Sequence, residues 1–161
     1  MIDIPMKAVG KERPRWCFKH QYAYTPKKTK EFEEKFSQFV VLYMKQNQMK
    51  ITDGPVAINI VVYKKVPKSW SKKKKEAALN KEIRPIVKPD NDNIEKIIWD
   101  SLENTLYTND SVIVDNACRK FYGEENIIHL SIKYLPIHES YKLEYPVINK
   151  KTCSCDLCIF N

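Results

Sequence analysis

Ile128, Leu130, Ile132 and Tyr134 alternate with His129, Ser131 and Lys133 in the cleanest period-two pattern of the chain. Such alternation makes a strand that buries one face and wets the other, which commits the chain to a sheet with one covered face. His129 falls opposite the apolar set and reads as a surface residue. Val112–Tyr122 reads as the preceding strand, and the turn at Gly123-Glu124-Glu125 makes the two a hairpin. Val56–Tyr63, rich in β-branched residues and preceded by the Asp53-Gly54-Pro55 turn, adds another strand. Residues 1–7 can form a first one.

The cover for that sheet is written in a different period. Thr25-Pro26 is a helix start, with Thr as N-cap and Pro at the first helical position. Phe32, Phe36, Phe39, Val40 and Tyr43 then recur at three- and four-residue spacing, a stripe that reads as core rather than as a cofactor box. A short basic helix is expected over Ser69–Asn80. After Pro85 and Pro89 comes a second long one, from about Asp92 to Leu106, with Ile94, Ile97, Ile98, Leu102 and Leu106 on its apolar face. The order predicts a single small α+β domain over residues 1–135, its mostly antiparallel sheet covered by helices on one face. Residues 136–161 lack periodicity and read as a C-terminal extension.

With 161 residues, 43% of them hydrophobic, the chain fits one domain with a real core. A net charge of +8 suggests a polyanionic partner, although charge alone does not separate nucleic acid from a membrane surface. No apolar run approaches the roughly 20 residues that span a bilayer. The N-terminus lacks the regions of a signal peptide, so the expected location is the cytoplasm. Five cysteines, an odd count, suit a reducing compartment. Cys153, Cys155 and Cys158 crowd the C-terminus; they read as a reduced tail or, with a fourth ligand such as His138, as a metal site.

The chemistry is concentrated in Lys88-Pro-Asp90-Asn-Asp92-Asn-Ile-Glu-Lys96 and in Asp110. Pro89 forces an extended or turn conformation in which the carboxylates of Asp90 and Asp92 can point the same way. Asp92 stands where an N-cap belongs, and Lys96 follows one helical turn later on the same face. Asp110 opens the next strand, where the chain can return to the helix N-terminus. Three converging carboxylates would need a cation, and Mg²⁺ (with Mn²⁺ as substitute) is the hard, octahedral ion that carboxylates, water and phosphate hold together. The chemistry would then be phosphodiester hydrolysis, with Lys96 orienting water or balancing charge on phosphorus. The competing reading makes Asp90 and Asp92 turn and cap residues and Lys96 a solvated helix lysine. Residue types alone do not choose between them.

The wider pattern does. Lys88-Pro-Asp-x-Asp-Asn-x-x-Lys96-x-x-x-Asp100-x-Leu102, then Asn109-Asp110-Ser, closely resembles the RusA family of Holliday junction resolvases. Lys11-Glu-Arg13-Pro14-Arg15, Tyr24-Thr25-Pro26-Lys27-Lys28-Thr29 and Pro67-Lys-Ser69-Trp70 are similar to other parts of the family, in order, from about residue 8 to 135. The resemblance implies a homodimeric, Mg²⁺-dependent endonuclease that cuts four-way DNA junctions symmetrically and leaves 5′-phosphate and 3′-hydroxyl ends. It implies catalytic roles for Asp90, Asp92, Asp110 and Lys96, with the three aspartates as metal ligands. Many relatives have paired aspartates where this chain has Asn109-Asp110, so the ligand role carries over to Asp110 alone. The Cys-rich tail is not part of the pattern.

Between Lys64 and Lys88 basic residues outnumber acidic ones, with only Glu76 and Glu82 opposing them. Lys72, Lys73, Lys74 and Lys88, with Arg13 and Arg15, are the expected phosphate contacts, giving salt-sensitive binding with little sequence preference. Trp16 and Phe18, interleaved with the arginines, are expected to pack their loop against the core; the other reading makes them stacking platforms for an open junction centre. A nuclease for flaps or forks and a non-catalytic DNA-binding module remain the alternatives.

Overall fold

The computed structural model describes residues 1–136. Strands β1 (Ile2–Ile4), β4 (Val56–Lys65), β5 (Ile113–Gly123) and β6 (Ile127–Tyr134) form one four-stranded sheet in the order β1-β6-β4-β5. β6 pairs antiparallel with both β1 and β4, whereas β4 and β5 run parallel. The fold is the expected α+β class. The expected hairpin of the last two strands does not form, because β4 lies between them. β4 buries Val56, Ile58, Ile60 and Val62 and so belongs at the sheet's interior, with neighbours on both sides. Residues 124–126 step across its end, where Asn126 accepts from the Lys65 N–H and Gly123 O from the Val66 N–H. A parallel pair needs a long crossover, and residues 66–112 supply it.

Helices α1 (Lys27–Gln46) and α3 (Asn91–Leu102) pack together on one face of the sheet. Thr29, Phe32, Phe36, Val40 and Met44 of α1, with Ile94, Ile97, Ile98 and Leu102 of α3, close the core against Ile2, Ile4, Ile58, Ile60, Ile128 and Leu130. Phe39, expected in the stripe, is on its exposed edge. α1 starts directly after Pro26, so Thr25 is not its N-cap. α3 stops at Leu102, four residues short of expectation: Asn104 takes a positive φ of 57° and breaks the helix, yet Leu106 still reaches the core through the turn. The short helix α2 (Lys72–Leu79) is capped by Ser71, which accepts from the Lys74 N–H. It packs beside β5, with Trp70 edge-on to Tyr122.

Within the expected loop 8–24, strands β2 (Arg15–Cys17) and β3 (Tyr22–Tyr24) pair as a small antiparallel ribbon. Trp16 is 53% exposed and Phe18 86%, so these aromatics do not pack against the core. His129 lies on the sheet face away from the helices, as its alternation requires. It is hydrogen-bonded to Asp3 across the strand pair and abuts the edge of Tyr63. No helix among the described residues is long and apolar enough to cross a membrane.

Candidate active site

Two elements place the acidic motif: the segment ending at Pro89, and the first turns of α3. The N-cap of α3 is Asp90, not Asp92. Asp90 has the extended backbone of a cap, but its side chain makes no capping hydrogen bond. Its carboxylate is therefore exposed and free for other work. Asp92 lies inside the first turn and faces Lys96, one turn on, with 3.5 Å between Oδ2 and Nζ. Both side chains are about three-fifths exposed (63% and 60%), so the pair contributes little to stability. Asn91 and Glu95 point the other way, toward β5: Asn91 donates to the Cys118 carbonyl and Glu95 accepts from Asn116.

These contacts fix the helix direction. Residue 91 meets residue 118 and residue 95 meets residue 116, so α3 and β5 run antiparallel. Asp110, which opens a 3₁₀ turn (Asp110–Val112) ahead of β5, is therefore placed toward the C-terminal half of α3. Tyr107, whose hydroxyl donates to the Trp99 carbonyl, lies in the same region; burial, then the charges of Asp110, Asp100 and Glu103, raise its pKa. Asp90 and Asp92 share one end of the helix, and no three Asp, Glu, His or Cys side chains converge as a metal-binding group among the described residues. Two neighbouring exposed carboxylates, that of Asp90 unpaired among the described residues and that of Asp92 facing Lys96, still suit a hydrated Mg²⁺, which is commonly held by one or two carboxylates with water and substrate phosphate completing the octahedron.

Asn109 and Asp100 have evident structural uses. Asn109 caps the 3₁₀ turn, accepting from the Ser111 N–H at 2.9 Å. Asp100 and Glu33 both bind the Lys11 ammonium. Burial works to lower the pKa of Lys11, but the hydrogen bonds to Asp100 and Glu33 outweigh it and the net shift is upward. Lys11 thereby ties the N-terminal segment to α1 and α3.

That segment forms one wall of an open groove of about 460 Å³. Lys7, Lys11, Lys28, Lys64 and Lys88 line it, together with Asp90, Asn93 and Glu12. Of the expected DNA contacts, Lys88 is in this groove. Lys72, Lys73 and Lys74 stand exposed in the first turn of α2, with Lys74 over the Trp70 ring at 4.1 Å. Three cations at a helix N-terminus oppose the helix dipole, an arrangement that a bound polyanion would relieve. Arg13 is exposed, and Arg15 projects from β2 with Glu12 at 3.2 Å. Lys7, Lys11, Lys28 and Lys64 are not among the contacts that the sequence predicts. For Lys64 a signal existed: it continues the buried phase of β4 after Ile58, Ile60 and Val62, where a lysine has no packing role.

The groove depends on a close approach at Gly10, whose Lys11 neighbour donates its N–H to the Asn93 carbonyl at 2.9 Å. A Cβ at residue 10 would come within 3.0 Å of Pro89 Cβ and 3.2 Å of Asn93 Cβ, the residues flanking the acidic motif. Gly10→Ala is thus expected to displace the Pro89–Asp90 backbone. Cleavage should fall by about tenfold, while thermal unfolding moves by only a few degrees. Nuclease assay beside a thermal melt checks this. Cys118, beneath Asn91, should be chemically silent: burial, and then the charge of Glu95, push its thiol up to about 12. Iodoacetamide near pH 8 should leave the Cys118 peptide unmodified in the folded protein and alkylate it after unfolding, as read by mass spectrometry.

Residues 5–133 match the family model "Endodeoxyribonuclease RusA". The chain is also similar to the protein YqaN of Bacillus subtilis (strain 168), described as uncharacterized, with 38% identity over 130 residues, 78% of this chain and 89% of that protein.

Proposed function

The chain belongs to the RusA family of endodeoxyribonucleases, and from that premise we propose that it resolves four-way DNA junctions by Mg²⁺-dependent hydrolysis of opposed phosphodiesters. The observation that carries this reading is the free carboxylate of Asp90 opening onto a groove lined by five lysines. A carboxylate that served only as a cap would bond to the helix N-terminus, and a groove for a neutral ligand would not concentrate cations. Asp90 and Asp92 would hold the metal ion, which when bound lowers the pKa of water and neutralises phosphate charge. Asp110 is assigned as the third carboxylate on its place in the family motif. Lys96, beside Asp92, balances charge as the phosphodiester is attacked. The groove lysines hold the backbone, and Lys72, Lys73 and Lys74, with Arg13 and Arg15, extend that contact.

Two equivalent cuts call for two equivalent sites, so the working unit is a homodimer. The exposed ribbon of Trp16 and Phe18 then favours the stacking role over the packing one, because unpaired bases at a junction centre offer π-faces to exposed aromatics. The DNA substrate places the protein in the cytoplasm of a bacterial or phage-infected cell, in recombination and repair. The nuclease domain is assigned to residues 1–135 and the extension to 136–161. Cys153, Cys155 and Cys158 lie outside the described residues; as a zinc-holding set they would make stability or activity sensitive to a zinc chelator, and no change in either would refute that role.

The substrate is tested by presenting a four-way junction, a replication fork, a flap and a linear duplex of common sequence to the protein with Mg²⁺. Preferred cutting of the junction is expected. Equal or faster cutting of flap or fork would replace the junction reading with a broader branched-DNA nuclease, and binding without cutting would leave a DNA-binding module.

A further inference from the structure

Lys64 and Lys120 are lysines in positions built for apolar side chains. On β4, Val56, Ile58, Ile60 and Val62 bury the helix-facing side, and Lys64 continues that phase. On β5, Lys120 is in register with Val62, and so projects to the same side of the sheet. The N-terminal segment brings Lys7 over them, and the segment ending at Pro89 brings Lys88. All four line one pocket, with Ala8, Val62, Pro85, Val87 and Ile94 for walls and no carboxylate among its lining residues. None of the four forms a salt bridge among the described residues. Lys120 donates to two backbone carbonyls, Pro89 at 2.9 Å and Val87 at 3.5 Å, which ties the pocket to the segment preceding Asp90.

Lys64 and Lys120 are half-buried and Lys7 and Lys88 exposed, and apart from the two carbonyls that Lys120 binds, no salt bridge among the described residues offsets the gathering of like charge. Burial, and then the charges of Lys7 and Lys120, lower the pKa of Lys64. A bound anion would reverse both effects, since it restores the solvation that burial removed and offsets the mutual repulsion. Lysine ammoniums bind phosphate as compact point charges with several donors each, without the planar geometry that arginine imposes on carboxylates. Lys7, Lys64 and Lys88 line this pocket and also the groove that contains Asp90, so the two cavities are contiguous and one extended anion could span both.

We propose that Lys7, Lys64 and Lys120 form a seat for a DNA backbone phosphate next to the one that is cut, fixing the strand relative to Asp90. The seat rests on the nuclease reading of the Asp90 site and specifies how that site holds its strand. It differs from the contacts at Lys72–Lys74 in being preorganised: two of its lysines stand on paired strands of the sheet, β4 and β5, rather than on a solvated helix turn.

The test is junction binding by the full chain in EDTA across a range of salt, so that no cleavage intervenes. Counterion release from a single phosphate contact is worth about eightfold in affinity at 0.1 M salt and about one in the slope of log K against log salt. Lys64→Met, which keeps the stem and removes the charge, is expected to lose about that much of each. Lys64→Arg should retain both, and Lys50→Met, at an exposed site outside the groove, should change neither. Lys7→Met serves as a second variant should Lys64→Met fail to fold. Lysine variants that fold, with affinity and slope unchanged in a protein that binds DNA, would overturn the seat and leave the nuclease reading standing. A wild-type chain with no DNA affinity would overturn both. Inorganic phosphate binding that Lys64→Met abolishes, without any effect on DNA, would mark a free-anion site and overturn the backbone assignment.

Discussion

Asp90→Asn is expected to reduce DNA cleavage by at least about 10²-fold, the scale on which losing one preorganised electrostatic group acts on a hydrolytic step. Junction affinity in EDTA should stay within about twofold of wild type, since removing a negative charge from a lysine-lined groove does not remove a phosphate contact. Asparagine caps helices as well as aspartate does, so Asp90→Ala is the informative partner. Where a capping side chain is lost, about 1 kcal/mol of stability goes with it. Asp90 makes no such bond, and Asp90→Ala should therefore leave the thermal midpoint in place while activity is lost. Asn109 is the contrast: it does cap, and Asn109→Ala should lower stability with a smaller effect on cleavage. A Tm lowered in Asp90→Ala with cleavage intact would return Asp90 to the structural role. Asp110→Asn belongs in the same series, because its carboxylate is assigned to the site by the family motif alone.

Ile97→Ala should be the most damaging conservative change to the fold. Ile97 is fully buried on the face of α3 that meets α1 and the sheet. Removing its outer carbons leaves a cavity in the core between the helices and the sheet, at a cost of about 2–5 kcal/mol. Small domains hold only about 5–15 kcal/mol in total, so this change spends a large share. Chemical denaturation should show the midpoint falling with little change in slope. Cleavage measured well below the new melting temperature should remain near wild type, because no side chain of the site is altered. A stable Ile97→Ala protein with lost activity would contradict the division of labour between the two faces of α3.

Much of this molecule was legible before its structure. The alternation at 128–134 gave a one-faced sheet, and the stripes at Phe32–Val40 and Ile94–Leu102 gave the two helices that cover it. Local patterns missed what depends on competition between segments. A short turn favours a β5–β6 hairpin, but β4 buries more apolar side chains and takes the place between them, an outcome no single window reveals. Asp92 looked like the cap, whereas the bend at Pro89 moved the helix start two residues earlier and left Asp90 at the end with its carboxylate free. Trp16 and Phe18 read as packing residues because aromatics usually are, but the ribbon that carries them stays exposed. Lys64 was hidden at the edge of a basic stretch and Lys120 within a strand read only for its apolar residues; only register separates a lysine that faces the core side from one that faces water.

The central claim is a metal-dependent endonuclease acting at the Asp90 end of α3 on branched DNA. It is tested most directly by an immobile four-way junction, each strand labelled in turn, with the protein in Mg²⁺ or in EDTA. Paired nicks are expected at symmetry-related positions on two opposed strands, with 5′-phosphate ends that a ligase reseals, in Mg²⁺ alone. Cutting that persists in EDTA, or an intact junction bound by the wild-type protein at every Mg²⁺ or Mn²⁺ concentration, would contradict it.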